Sequence, residues 1–411
     1  NKVITENQEI TDDTVHKKSN NEDESNESGE IEAEPIDVGK NYEEIRSLTE
    51  DERNIRDKLL VVLTEQQERD TQSGKDYLSS TYLNGIIDFS DDETRKRIKK
   101  FLNKDQITWL EEKFRKKTWD PTSEYTQYIN QFIEDVCDRV QIPILVRKSF
   151  VPENTFNSYR HEAHDIAQQI LTHFSVRLEA PIRVESNNLN LERTYAIDTT
   201  VYILNRLFRM HQDVLDVRWI ELTTPDTKKH KIDGILKVIK ATEKDQVLVI
   251  VEFSFGRRAP LTKEDGDQVK LCRNSMRILN KILQGVPKDK ARVYMIQTVN
   301  GHIIIKYLVR PLPSIYILQQ FTRIKIPVSF DDFEQFAKDM MDLMITGFFY
   351  LQADVLSTIK AINKSITKDK HIHTTSVQDT PKKAGKENQT LPSSPKSPCP
   401  GGSPSELPSL I

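Results

Sequence analysis

Apolar residues in the central part of this chain recur with two clean periods, 3.6 and 2, and the alternation between them outlines an α/β module. Ile197, Val201, Leu204 and Phe208 stand at i, i+4, i+7 and i+11, the spacing of one helix face. Val217 to Leu222 (VRWIEL) reads as a short strand ending at Thr223-Thr224-Pro225. Lys231 to Ile239 (KIDGILKVI) and Val247 to Phe255 (VLVIVEFSF) are β-rich, separated by the turn-prone Thr242-Glu243-Lys244-Asp245. Cys272, Met276, Leu279 and Leu283 then trace a helix seam, leaving Asp267, Lys270, Asn274, Arg277 and Lys281 on the other face. Arg292 to Val299 and His302 to Val309 flank Asn300-Gly301, a strong hairpin signal. Phe333, Phe336, Met340, Met344 and Phe348 follow the capping stretch Ser329-Phe330-Asp331-Asp332 and predict a last helix. The order α-β-β-β-α-β-β-α predicts a mixed sheet covered on both faces.

Upstream, residues 41–145 read as helical. Glu50 to Glu68 and Asp92 to Lys117 are rich in Glu, Lys, Arg and Leu, and the second opens with acids and carries its bases later, as the helix dipole favours. Its Arg95, Lys96, Arg97, Lys99 and Lys100 suit nucleic acid or an import receptor, although a solvated helix face is the commoner use of such a run. Pro121, Pro143 and Pro152 punctuate the approach to the module, giving an expected organisation of an acidic tail (1–40), a helical region (41–145), an α/β domain (150–363) and a Ser/Pro-rich tail (364–411). Both tails read as disordered, having too little apolar surface to offset chain entropy. The second contains Ser394-Pro395, Ser397-Pro398 and the KEN-like Lys386-Glu387-Asn388, short matches that suit protein partners and phosphorylation but arise easily by chance.

Composition narrows the classes. With 411 residues, 36% hydrophobic and only 13 glycines, the chain has no Gly-rich phosphate loop, and its best apolar run, Leu343 to Leu351, is too short for a membrane span. Cys137, Cys272 and Cys399 are too dispersed for a zinc site and too few for a disulfide framework, which points to a reducing, nuclear or cytoplasmic setting. The first residue is Asn1, so targeting is not legible from this end. Residues 1–40 carry 12 acids and 4 bases and residues 364–411 carry 7 bases and 4 acids, leaving 48 bases against 47 acids between them. That neutral middle lacks the basic excess of a strong phosphate binder.

Two acids stand out by position. Asp233 lies early in one strand and Glu252 closes the apolar run Val247–Val251 on the next. A carboxylate at the end of a buried strand is costly without a cation or donor. Two on adjacent strands make an oxygen-ligand site of the kind Mg²⁺ prefers, where bound water is acidified and a phosphoryl oxygen polarised. The plainer alternatives are a strand-edge Asp233 and a Glu252 that pairs structurally with Arg257, Arg258 or Lys270. His161 and His164 stand at i, i+3, outside the spacing of a metalloprotease helix, and read as a polar helix face. Trp219 and Glu221 share one face of their strand by period and read as core packing and an edge ion pair.

The strand acids, with Glu192 in Leu191-Glu192-Arg193, resemble the PD-(D/E)XK, or restriction-endonuclease-like, nuclease superfamily over residues 185–310. The Lys-x-Asp-Gly-Ile-Leu strand and the Glu-x-Ser strand end are also similar to a divergent group of uncharacterised fungal proteins. The resemblance implies an α-β-β-β-α-β core and a metal-dependent DNA endonuclease. Asp233 and Glu252 would then hold Mg²⁺ or Mn²⁺, and Glu192 would be the helix acid. Ile232 replaces the family proline, a common change. Ser254 replaces the lysine of Glu-x-Lys, which removes the positive charge that positions the attacking water. Lys270, early in the following helix, is the candidate replacement. Arg257, Arg258 and Gln268 are candidates for gripping DNA or another nucleic acid. The other class of function is a catalytically inactive scaffold that uses the same fold for regulatory interactions.

Overall fold

The computed structural model describes residues 43–114, 142–147, 155–179, 192–227, 230–239, 246–254, 261–333, 336 and 349–375. Their architecture is one seven-stranded mixed sheet with helices on both faces, in the order β1-β7-β6-β5-β4-β3-β2. The strands are β1 (Ile86–Asp88), β2 (Leu215–Leu222), β3 (Ile232–Val238), β4 (Gln246–Phe253), β5 (Val293–Val299), β6 (His302–Leu312) and β7 (Ile315–Lys325). β4 and β5 lie at the centre, buried at every residue, which is why they read as mostly apolar runs (residues 247–251 and 293–296) rather than alternations. They pair in parallel, joined by the crossover helix Leu261–Ile282, while β2–β3, β3–β4, β5–β6 and β6–β7 pair antiparallel. Asn300 and Gly301 both take positive φ (50° and 73°), forming the tight hairpin turn that their sequence predicts.

The helices are α1 (Glu50–Gln72), α2 (Asp92–Phe101), α3 (Lys104–Lys113), α4 (Ile142–Arg147), α5 (Glu162–Glu179), α6 (Glu192–Ala196, continued through a π-turn at Ile197–Val201 into Tyr202–Leu207), α7 (Leu261–Ile282) and α8 (Phe349–Thr375). Helix α7 packs on β4, β5 and β6 from one side, burying Cys272 and Leu279 of its predicted seam. Burial pushes the Cys272 thiol up to about 12, the state of an inert core cysteine. Helices α5, α6 and α8 cover the other face. Thr200 of α6 bonds Thr298 of β5, Tyr294 of β5 donates to Asp354 of α8 at 2.8 Å, and Gln352 of α8 donates to the Leu207 carbonyl at 2.5 Å.

Several expectations are adjusted. The long helix over Asp92 to Lys117 breaks at Leu102, because Asn103 makes a capping box with Gln106 and starts a second helix. Its bases are partly neutralised: Arg95 pairs with Asp92, Lys96 with Glu93 at 2.8 Å, and Arg97 bonds Gln66 at 2.8 Å. In α6 a π-turn over Ile197–Val201 rotates Ile197 out to solvent and buries Thr199 and Thr200, while Val201, Leu204 and Phe208 keep the core. Strand β7 joins the predicted hairpin, and β1 of the N-terminal region pairs in parallel with β7 at the sheet edge. That region is thus more than a helical appendage. Arg56 donates to the Pro313 carbonyl at 3.2 Å, Lys306 pairs with Asp88 at 3.3 Å, and one apolar cluster runs from Leu48 to Ile362. Helix α8 continues past Lys364 to Thr375, so the expected C-terminal tail begins later than composition suggests. The acidic tail 1–40 and residues 376–411 lie outside the described residues. Among the described residues no helix is long and apolar enough to cross a membrane.

Candidate active site

The site forms where the N-terminal end of β3 meets the C-terminal end of β4, under the first turns of α7. Side chains on a strand alternate between faces, so Glu252, in register with Gln297 of β5, looks toward α7 while its neighbours Val251 and Phe253 look away. Glu252 is 4% exposed, and the Lys270 ammonium of α7 lies 2.9 Å from its Oε1. Lys270 is itself 30% exposed, so the pair has a buried acid and a cation reaching in from the rim. Asp233 turns its carboxylate onto the end of the neighbouring strand, where Oδ2 accepts the Phe253 N–H at 2.8 Å. This bond ties the two strand ends together and brings the second carboxylate beside the first.

Helix α7 adds a third acid. Asp267 stands one turn before Lys270 on the same helix face and accepts a hydrogen bond from Ser254. Ser254 is fully buried and accepts from Gln297 Nε2 at 2.8 Å, and that amide also donates to the Glu264 carbonyl at 3.0 Å. Asp267 Oδ2 is buried and has no hydrogen-bond donor among the described residues. Burial pushes the Glu252 carboxyl well above the usual range; Lys270 opposes this, and the nearby Asp233 and Asp267 charges add to it. Burial likewise raises Asp267, against the pull of Ser254, Lys270 and Lys263. Among the described residues, three carboxyl groups therefore crowd around the Lys270 ammonium in a poorly solvated corner, with Lys263 also acting on Asp267. Such a group holds a proton or a cation to balance its charge.

Among the described residues no three His, Cys, Asp or Glu side chains form a ready metal cage. A cation here would rest on Asp233 and Glu252 with water completing its shell, the mode that suits Mg²⁺. The donor set is all oxygen, and the buried Asp267 Oδ2 beside it has no hydrogen-bond donor among the described residues, so the residues present fit a hard divalent ion.

The structure thus brings Asp233, Glu252 and Lys270 together. Glu192 is the first residue of α6. Arg257 and Arg258 lie outside the described residues. Gln268 does not join the group: with Asp265 and Val269 it lines a separate cleft of about 450 Å³ against the N-terminal region, opposite Asp70, Lys75 and Arg97. At 100° per residue, Gln268 and Lys270 are 160° apart around the helix, which accounts for the separation. The polar face expected for α7 is also more buried than its composition suggests, with Asn274 at 1% exposure.

Two other expectations change. His161 and His164 are buried instead of lining a polar face: His161 Nδ1 accepts the Asn157 N–H at 2.9 Å, and burial lowers the His164 pKa. Trp219 and Glu221 do not share a face, because a bulge between Trp219 and Leu222 breaks the alternation. Trp219 lies over Gly234 and stacks on Phe253 at 6.3 Å, and a Cβ on Gly234 would fall 2.5 Å from the indole. Glu221 instead makes the expected edge ion pairs, with Arg193 and with Lys231 at 3.4 Å.

Asp267 and Gln297 are the site residues that sequence reasoning missed. Gln297 had a usable signal, as the one long polar side chain in an otherwise apolar central strand; Asp267 had only its position three residues before Lys270. No family model, curated protein or solved structure matches this chain, so the geometry of the site itself carries its interpretation.

Proposed function

We propose that the chain is a nucleic-acid-directed, metal-dependent phosphodiester hydrolase built on a PD-(D/E)XK-like core. The observation that carries this reading is the Lys270–Glu252 contact. The strand position that would hold the motif lysine is Ser254, and α7 returns an ammonium to the same carboxylate from one helical turn beyond Asp267. The order α6, β2–β3–β4, α7, β5 accords with the α-β-β-β-α-β arrangement of that superfamily.

In this reading Asp233 and Glu252 hold Mg²⁺ or Mn²⁺, which when bound would lower the pKa of a water and offset phosphoryl charge. Lys270 holds the water or a phosphate oxygen in line through its N–H donors, and its charge stabilises the transition state. Ser254 serves differently from a lysine. It fixes Asp267 through a hydroxyl that Gln297 orients, keeping the third carboxylate turned toward Lys270. Glu192 and the Arg257-Arg258 pair are the candidates for orienting the site and binding substrate.

One observation favours the non-enzymatic alternative. Asp233 Oδ2 is already engaged as the cap of the Phe253 N–H, as a purely structural aspartate would be. Plasmid and single-strand cleavage by the full chain in Mg²⁺, Mn²⁺ or EDTA separates the two. The nuclease reading expects metal-dependent cutting that is lost in folded Asp233→Ala and Glu252→Ala and reduced by 10²-fold or more in Lys270→Ala. No cutting by folded wild type with any metal leaves the scaffold.

A further inference from the structure

The bulge in β2 is the most unusual backbone among the described residues near the site. Ile220 and Glu221 take positive φ (74° and 49°), a conformation that β-branched residues strongly disfavour. Burial does not compensate for it, since Ile220 is 44% exposed. Strain that packing does not reward is the kind that marks a functional position. Its effect here is specific. It turns Glu221 out of the strand alternation and onto two cations from different elements, Arg193 of α6 and Lys231 just before β3. Register fixes the location: Leu222 pairs with Ile232, so the trio sits at the same end of the sheet as Asp233. Arg193 also directly follows Glu192.

We infer that Arg193 and Lys231, spaced by Glu221 on this bulge, form an anion-gripping lip that takes the phosphodiester backbone of the nucleic acid entering the Asp233–Glu252 site. The inference deepens the hydrolase reading and rests on it. Two cations around one carboxylate leave a net positive charge. All three groups are largely exposed, so the pairs add little to folding and their cations are open to exchange for a phosphate. Both cations hold the Glu221 carboxyl below its ordinary range, Arg193 first. Glu221 therefore stays ionised as a tether that aligns Arg193 and Lys231 and competes with the incoming anion. Arg193 brings a planar fork suited to phosphate, and Lys231 a mobile point charge.

This competition makes the proposal testable in both directions. The experiment is equilibrium binding of labelled duplex and single-stranded DNA to the full chain in EDTA, across a salt series, with folding of each variant checked by circular dichroism. Removing the cations in Arg193→Ala/Lys231→Ala should weaken binding about tenfold or more at low salt. It should also flatten the slope of log K against log salt by about 2 for duplex. Glu221→Gln should tighten binding several-fold, whereas Glu93→Gln, which frees a cation on α2 in the same way, should leave it unchanged. Wild type that binds while the double variant binds equally well, with the same slope, overturns the lip and leaves the hydrolase reading standing. Wild type that binds neither form of DNA also overturns the lip, and the hydrolase reading is then decided by the metal-dependent cleavage assay.

Discussion

Two acid–base pairs of equal length lie against this sheet, and their surroundings could hardly differ more. Arg292 and Asp354 meet at 2.9 Å with exposures of 7% and 5%, and Asp354 also receives the Tyr294 hydroxyl at 2.8 Å. Every feature of that pair is satisfied from within, joining β5 to α8. Lys270 and Glu252 also meet at 2.9 Å, but the cation comes from the rim, and Asp233 and Asp267 crowd the same corner with charge of the same sign as Glu252. A closed pair holds elements together. A lopsided one leaves charge to be balanced by something that arrives. The contrast separates architecture from chemistry more sharply than burial alone, since Asp354 and Glu252 are about equally buried.

The largest effect expected from this contrast is structural. Asp354→Ala should cost about 3–5 kcal/mol by denaturant unfolding, because it leaves the Arg292 guanidinium buried without its counter-charge. Metal-dependent properties of the remaining folded protein should be unchanged. Lys270→Ala should cost less, roughly 1–3 kcal/mol at pH 8. The cost should shrink at lower pH, as Glu252, whose carboxyl burial holds above the usual range, takes up a proton and no longer needs the ammonium. An equal loss at lower pH would mean that Lys270 contributes packing and not charge.

The smallest effect is a slope. Glu252 binds its proton more tightly folded than unfolded, since burial raises its folded pKa above the ordinary 4.5. Its contribution to stability is therefore fully present below 4.5 and is lost as pH rises through the folded value. Glu252→Gln should flatten the pH dependence of unfolding free energy in that window without lowering stability at pH 8. A wild-type profile already flat there would remove the raised carboxyl from the account.

How far the sequence reached follows the same division. The central strands were legible because burial on both faces leaves mostly apolar runs, and Asn300-Gly301 because its backbone geometry favours those residues. Asp233 was legible as an acid near the start of one strand and Glu252 as the acid closing the apolar run of the next. Lys270 was placed by its position one helix later, and the structure brings it to Glu252. What escaped depends on departures from ideal period. Strand β7 carries a bulge where Phe321 interrupts its pairing with β6, and Gln319-Gln320 beside it blur the alternation. The π-turn in α6 shifts its core face by about a residue, and the β2 bulge parts Trp219 from Glu221. Asp267 escaped because sequence period groups it with Arg277 and Lys281 on a face that reads as solvated, whereas β4 and β5 close over its first turns.

The central claim is that the lopsided corner is a cation site, and calorimetric titration of Mn²⁺ into the full-length chain tests it most directly. The account predicts saturable binding near one ion per chain, lost in Glu252→Gln and in Asp233→Asn while both variants remain folded. Folded wild type that takes up no Mn²⁺, or binding that persists unchanged in both variants, would contradict it.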